Sequence, residues 1–148
     1  MEIYARAQQF MRESGNPTQW SNIYPTRELI AEDIRRQIFY VVTDDTEKVQ
    51  GVFVFAIGKD KTYAVIRGGA WKNDAPYGTV HRIASGGEVP GVFDAAIDYC
   101  KSRIDNLRID THENNSVMQH LITKNGFAFC GHINADDGTD RLAYQYTE

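Results

Sequence analysis

Residues 80–93 read Val-His-Arg-Ile-Ala-Ser-Gly-Gly-Glu-Val-Pro-Gly-Val-Phe, and they join a β-rich run to a helical one through a glycine-bearing loop. The β-type run ends at Ser85. Gly86, Gly87, Glu88, Val89, Pro90 and Gly91 follow. Beyond them Val92, Phe93, Ala96, Ile97 and Cys100 fall on one face of a helix predicted over residues 90–104, with Pro90 suited to its first turn. A loop of this kind leading into a helix presents unpaired backbone N–H groups and the positive end of the helix dipole, which suits phosphate oxygens. It lacks the Lys-Ser/Thr pair of a P-loop and does not fit the dinucleotide fingerprint. A tight turn without any ligand is the other reading of the same residues.

A second segment gives the first its context. Residues 107–129 read as a strand, a polar elbow His112-Glu113-Asn114-Asn115, a short amphipathic helix closed by Gly126, and another strand. This order of strand, phosphate-type loop, helix, strand, Asn-bearing elbow, helix and Gly-Phe resembles the GNAT superfamily of acetyl-coenzyme-A-dependent N-acetyltransferases. The resemblance follows the whole chain in general order. It is most specific between His81 and Phe127, where the spacing from Asn115 to Gly126-Phe127 matches. It implies one α+β domain over residues 1–148, with a mixed, mostly antiparallel central sheet flanked by helices. One departure stands out: the superfamily begins with a short strand, whereas this chain starts inside the helix that follows it. The first edge strand is therefore expected to be missing, or the start to lie upstream of Met1, or the edge to be covered by a partner subunit.

Composition narrows the class. The chain has 148 residues, 42% of them hydrophobic, enough for one domain with a substantial core. A net charge of −4 without a basic stripe disfavours nucleic acid, whose phosphates must be met by clustered cations. No apolar run reaches membrane-spanning length and no signal-type segment opens the chain, so a cytoplasmic protein is expected. Cys100 and Cys130 are isolated and read as reduced, buried and structural, and no metal site is expected.

Periodicity predicts helices over residues 1–14, 26–37, 90–104 and 116–124, with Leu29, Ile30 and Ile34 inward in the second. Strands are predicted over 38–43, 49–57, 62–71, 79–85, 107–112, 127–134 and 141–146. The sheet is antiparallel except where the helix over 90–104 connects two parallel strands.

The resemblance assigns the chemistry. Acetyl-CoA, as co-substrate, would be held by the loop Gly86, Gly87, Glu88, Val89, Pro90, Gly91, Val92 and Phe93, whose backbone N–H groups (Pro90 has none) would cradle the diphosphate. Set on the family pattern Arg/Gln-x-x-Gly-x-Gly/Ala, Gly91 matches, while Glu88 and Phe93 do not. Backbone N–H groups of Ile83, Ala84 and Ser85 would meet the thioester and pantetheine where this strand parts from the next, and Asn115 would meet the pantetheine from the elbow. Asn115 also suits a helix N-cap, and both roles can coexist.

Alternation along 107–112 places Arg108, Asp110 and His112 on one face, an unusual polar face for a central strand. Arg82, Asp110 and His112 are expected to cluster near the acceptor. His112 is the first choice for accepting the amine proton and Glu113 the second, with Asp110 either catalytic or in an ion pair with Arg82 or Arg108. The tyrosine that many superfamily members carry seven residues after the Asn115 position is Ile122 here. Ser116, Tyr144 or water would then protonate the thiolate. Trp20, Tyr24, Trp71, His81 and Arg82 are expected to line the acceptor side, or the aromatics to pack on the sheet.

The expected activity is acyl transfer from coenzyme A to a small amine or a peptide amine by direct attack, with a homodimer as the expected assembly. The competing readings are a coenzyme-binding sensor without turnover and an unrelated phosphate-binding module. All of it depends on two neighbouring strands parting at Ser85.

Overall fold

The computed structural model describes residues 27–46, 49–85, 90–135 and 138–148. Along the chain these form α1 (Arg27–Arg35), β1 (Phe39–Thr43), β2 (Val49–Ile57), a 3-10 turn (Lys61–Tyr63), β3 (Gly78–Ser85), α2 (Val92–Lys101), β4 (Asn106–Thr111), α3 (Ser116–Lys124), β5 (Ala128–Asn134) and β6 (Asp140–Thr147). The strands make one sheet in the order β1-β2-β3-β4-β6-β5. Every pairing is antiparallel except β3 with β4, which α2 connects. The helix expected over 1–14, Trp20, Tyr24 and the edge strand expected to be missing fall outside the described residues.

One face of the sheet carries the main core. Phe53 and Phe55 of β2, Val80 of β3 and Leu107 and Ile109 of β4 pack against Phe93, Ala96, Ile97 and Cys100 of α2 and Ile122 of α3. The five apolar positions read from the helical period of α2 are all buried. Val92, Phe93 and Ile97 each contribute about 1.5–3 kcal/mol when fully buried, so this stripe fixes α2 across the sheet. In α1 the expected pattern fails at Ile34. Ile34 is 57% exposed and Asp33 is 1% exposed, because Asp33 has an arginine partner inside the fold.

The opposite face is covered by the connection between β2 and β3, which brings Tyr63, Ile66, Trp71 and Tyr77 over Ile133 and Ala143. The strand predicted over 62–71 is not there. Both edges of β2 are already taken, by β1 and β3, so the segment cannot pair with the strand it follows. Asp60 Oδ1 instead accepts the Thr62 N–H at 2.9 Å and starts the 3-10 turn. The chain then crosses the sheet and joins β5 in one isolated bridge, Arg67–His132. Gly69 lies so flat on β5 that a Cβ there would stand 2.0 Å from the Cys130 carbonyl oxygen.

Candidate active site at a parting of two strands

β3 and β4 pair at only two positions, Gly78 with Leu107 and Thr79 with Arg108. Beyond these, β3 stays paired with β2 as far as Ser85, and β4 with β6 as far as Thr111. The strands therefore separate on their facing edges alone, leaving main-chain N–H and C=O groups bordering a wedge. His81, Arg82 and Ile83 are half-buried there, between buried Val80 and Ala84.

A bulge produces the divergence. Val52 faces Ala84 while Val54 faces His81, so β3 spends one residue more than β2 over the same span. Arg82 takes that extra step at φ 50°, a left-handed conformation that arginine adopts only under constraint. The constraint is a bidentate pair with Asp33 of α1: Arg82 Nε to Oδ2 at 2.9 Å and Nη2 to Oδ1 at 2.8 Å.

α2 begins at the Ser85 end of the gap. Gly91 precedes it at φ 80° and supplies no side-chain cap, so the first-turn N–H groups of Val92, Phe93 and Asp94 have no capping partner of that kind. The helix start is seated tightly. A Cβ at Gly51 would stand 2.4 Å from Val92 Cγ1 and 2.9 Å from the Ala84 oxygen. The Asp94 carboxylate, the one negative charge in this first turn, binds Asn125 Nδ2 at 2.9 Å and Lys124 Nζ at 3.0 Å, which hold its carboxyl below the usual range. The parted edge and a helix start that Gly91 leaves without a side-chain cap suit an extended ligand bearing phosphate. Gly86, Gly87, Glu88 and Val89 lie outside the described residues.

Asn115 is buried. Its Oδ1 accepts the Met118 N–H at 3.0 Å and caps α3. His112 stands just past β4, where its Nδ1 accepts the Asn114 N–H at 3.0 Å and its carbonyl accepts from Asn115 N. Glu113 is exposed, and its carbonyl accepts from Gln119 Nε2 at 2.7 Å. These contacts build the elbow.

The expected cluster of Arg82, Asp110 and His112 does not form. Arg82 is committed to Asp33, and His112 to the elbow. Asp110 makes no ion pair among the described residues; it accepts the Tyr63 hydroxyl at 2.6 Å. Arg108 is not its partner either. The guanidinium lies between the rings of Trp71 and Tyr77, 4.1 and 4.0 Å from their centroids, and donates to the Asn73 carbonyl at 2.8 Å. Trp71 itself packs on Tyr63 and donates its Nε1–H to the Tyr63 carbonyl, so it is a packing residue over the sheet.

Two residues that sequence reading missed complete the site. Tyr63 falls in the stretch whose composition predicts a strand, and Asp60 lies outside every predicted element. His81 Nε2 lies 2.8 Å from Asp60 Oδ2, and the His81 ring stands 6.2 Å from that of Tyr63. Partial burial pushes the Asp60 carboxyl up, but hydrogen bonds from His81 and from the Thr62 hydroxyl and N–H outweigh it and hold the group well below the usual range. Burial, with Asp110 beside it, pushes the Tyr63 phenol well above its ordinary value. Both contacts span long sequence separations, so no local motif announces them.

Ile122 is sealed in the core. Tyr144, on β6 opposite Ile109, belongs to the same cluster. Its phenol is raised by burial and makes no hydrogen bond among the described residues. Both cysteines are free and buried, and burial pushes the Cys100 thiol up to about 12 and Cys130 upward as well. Among the described residues no cluster of His, Cys, Asp or Glu could hold a metal ion, and no helix is long and apolar enough to cross a membrane.

No family model matches the chain, and no curated protein matches it by sequence. Solved structures do. A GNAT-family acetyltransferase from Streptococcus agalactiae 2603 is 29% identical, covers 99% of this chain and 86% of its own, and superposes with a TM-score of 0.88. A GNAT-family acetyltransferase from Listeria monocytogenes 4b F2365 is 18% identical over 99% and 86% of the two chains, with a TM-score of 0.69. The NatC complex bound to Gag peptide and CoA matches at 15% identity over 99% and 91%, with a TM-score of 0.59. The fold is that of the GNAT acetyltransferases.

Proposed function

We propose that this chain, read as one domain, transfers an acetyl or other short acyl group from coenzyme A to a primary amine, by direct attack of the amine on the thioester. The carrying observation is the one-sided parting of β3 from β4 beside a helix start that Gly91 leaves without a side-chain cap. The exposed edge of β3 at Ile83, Ala84 and Ser85 would pair with the pantetheine amides and polarise the thioester carbonyl. The amides of Gly91, Val92 and Phe93, with the loop before them, would take the diphosphate. Asn115, whose Oδ1 caps α3, would meet the pantetheine from the opposite strand.

Attack without a covalent enzyme intermediate is supported by the cysteines. Cys100 is sealed and its thiol is held at about 12, far from the thiolate a relay needs. With Ile122 in the core, Tyr144 is the favoured donor to the departing thiolate. The acceptor would approach on the face carrying His81, Asp110 and Tyr63, and small amines and peptide amines both fit that chemistry. The proposed setting is the cytoplasm and the proposed assembly a homodimer.

One observation favours a second reading. The missing tyrosine at Ile122 suits a coenzyme-binding sensor without turnover. Calorimetry with acetyl-CoA, followed by thiol release across a panel of amines, decides between them. Heat with turnover is expected. Heat without turnover on any amine selects the sensor, and no heat at all overturns both.

A further inference from the structure

Two carboxylates and one imidazole surround Tyr63, on the sheet face away from α2 and α3. Thr79 and Arg108 are the last paired residues of β3 and β4. His81 and Asp110 each lie two positions further along, on the same face, so they flank the opening from either side. Tyr63 spans it, with its hydroxyl on Asp110 and its ring beside His81.

The two flanking groups are prepared differently. Asp60 is ionised and fixes His81 through Nε2, which therefore carries the proton. Nδ1 then holds the lone pair, and it has no hydrogen-bond partner among the described residues. The His81 side chain is 28% exposed, enough to meet a substrate. Asp110 gives Oδ1 to Tyr63 and is itself half-buried rather than sealed.

Resting on the acyltransferase reading, we propose that His81, positioned by Asp60, is the proton acceptor for the incoming amine, and that the acceptor is a cationic aliphatic amine drawn between Asp60 and Asp110. The groups facing His81 are Asp60 and Tyr63 of the crossing connection, Tyr77, whose hydroxyl accepts the Asp60 N–H, and Asp110 of β4 beyond Tyr63. The neighbouring cations are committed elsewhere, Arg82 to Asp33 and Arg108 between Trp71 and Tyr77. The charge bordering the opening on this face is therefore negative.

The step balances. The ammonium gives one proton to His81 Nδ1, and the freed lone pair forms the N–C bond to the thioester carbonyl. The C–S bond breaks with its electron pair on sulfur. A second amine proton is lost as the amide forms, one of the two protons ends on the thiol, and one is released to solvent.

The test uses the full chain with acetyl-CoA and two acceptor probes, an aliphatic primary amine that is protonated at assay pH and an aromatic amine that is neutral. His81→Gln is expected to lower kcat/KM for the aliphatic amine on the order of 10²-fold, and for the aromatic amine far less. Asp60→Asn should shift both in the same direction by a smaller factor, with the Kd for acetyl-CoA unchanged in each variant. In the unmutated protein, which needs no variant to fold, the acid limb of kcat/KM should follow the His81 imidazole titration seen by NMR. Equal losses on both amines, an unaffected His81→Gln, or an acid limb that does not track His81 each overturn the assignment while leaving the acyltransferase reading intact. Absence of turnover in the unmutated protein overturns both.

Discussion

The Tyr63 hydroxyl donates to Asp110 Oδ1 at 2.6 Å, tying the connection that crosses the sheet to the strand that borders the gap. A hydrogen bond to a charged group contributes about 1.5–3 kcal/mol. Tyr63→Phe should therefore lose about that much stability in urea, and a cycle with Asp110→Ala should show coupling of roughly 1–3 kcal/mol. Additive effects would mean the contact carries no energy of its own.

Asp33 and Arg82 hold the bulge that opens β3. Their side chains are 2% and 15% exposed, and removing one partner of a buried pair leaves an uncompensated charge costing about 3–5 kcal/mol. Asp33→Ala should destabilise by about that amount, and the further change Arg82→Ala should restore part of it. Chemical denaturation of the two variants checks this; a double variant as weak as the sum of the singles contradicts it.

Gly51 admits the start of α2. In Gly51→Ala the new methyl meets Val92 Cγ1 and the Ala84 carbonyl, so overpacking of about 1–3 kcal/mol is expected. Because the strain falls where the diphosphate would sit, acetyl-CoA affinity should drop as well, measured by calorimetry. Adding Val92→Ala should relieve only part of the loss, since the carbonyl contact remains.

Asp60 sets an acid dependence whose sign follows from its lowered carboxyl. A depressed folded-state value gives stability that is present above the unfolded carboxylate value, about 3.9, and is lost as pH falls through the folded value. The stability gap between the unmutated protein and Asp60→Asn should be level from neutral pH down to about 4.5 and shrink below it. Unfolding midpoints across that range are the measurement; a gap that widens on acidification refutes it.

Tyr144→Phe tests the acid. If the phenol protonates the thiolate, kcat should fall by on the order of 10²-fold with the KM for acetyl-CoA unchanged. Ser116→Ala should leave kcat where it is. The opposite pattern would move the role to Ser116, and two silent variants would leave it to water.

Local pattern revealed the elements bordering the gap. The apolar period of α2, Gly91 before it, the Asn115 cap and the Gly126-Phe127 turn are short-range features, each decided by residues within one or two turns of one another. Where the sequence misled, the cause lay beyond such a window. Residues 62–71 have β-type composition, yet β1 and β3 already occupy the edges of β2. Ile34 fits the helical period of α1, yet Asp33 is drawn inward by Arg82, 49 residues away.

The same distinction governs the chemistry. Amino-acid order alone determined that a glycine-led helix follows a strand and that an Asn-bearing elbow follows the next, because turns, caps and periodicity are local. Only the tertiary structure decided that β3 and β4 part after two pairs, that Asp110 meets Tyr63, and that Asp60 rather than a neighbour in sequence orients a histidine. Those two side-chain contacts join residues 47 and 21 apart, and only the folded sheet brings them within bonding distance.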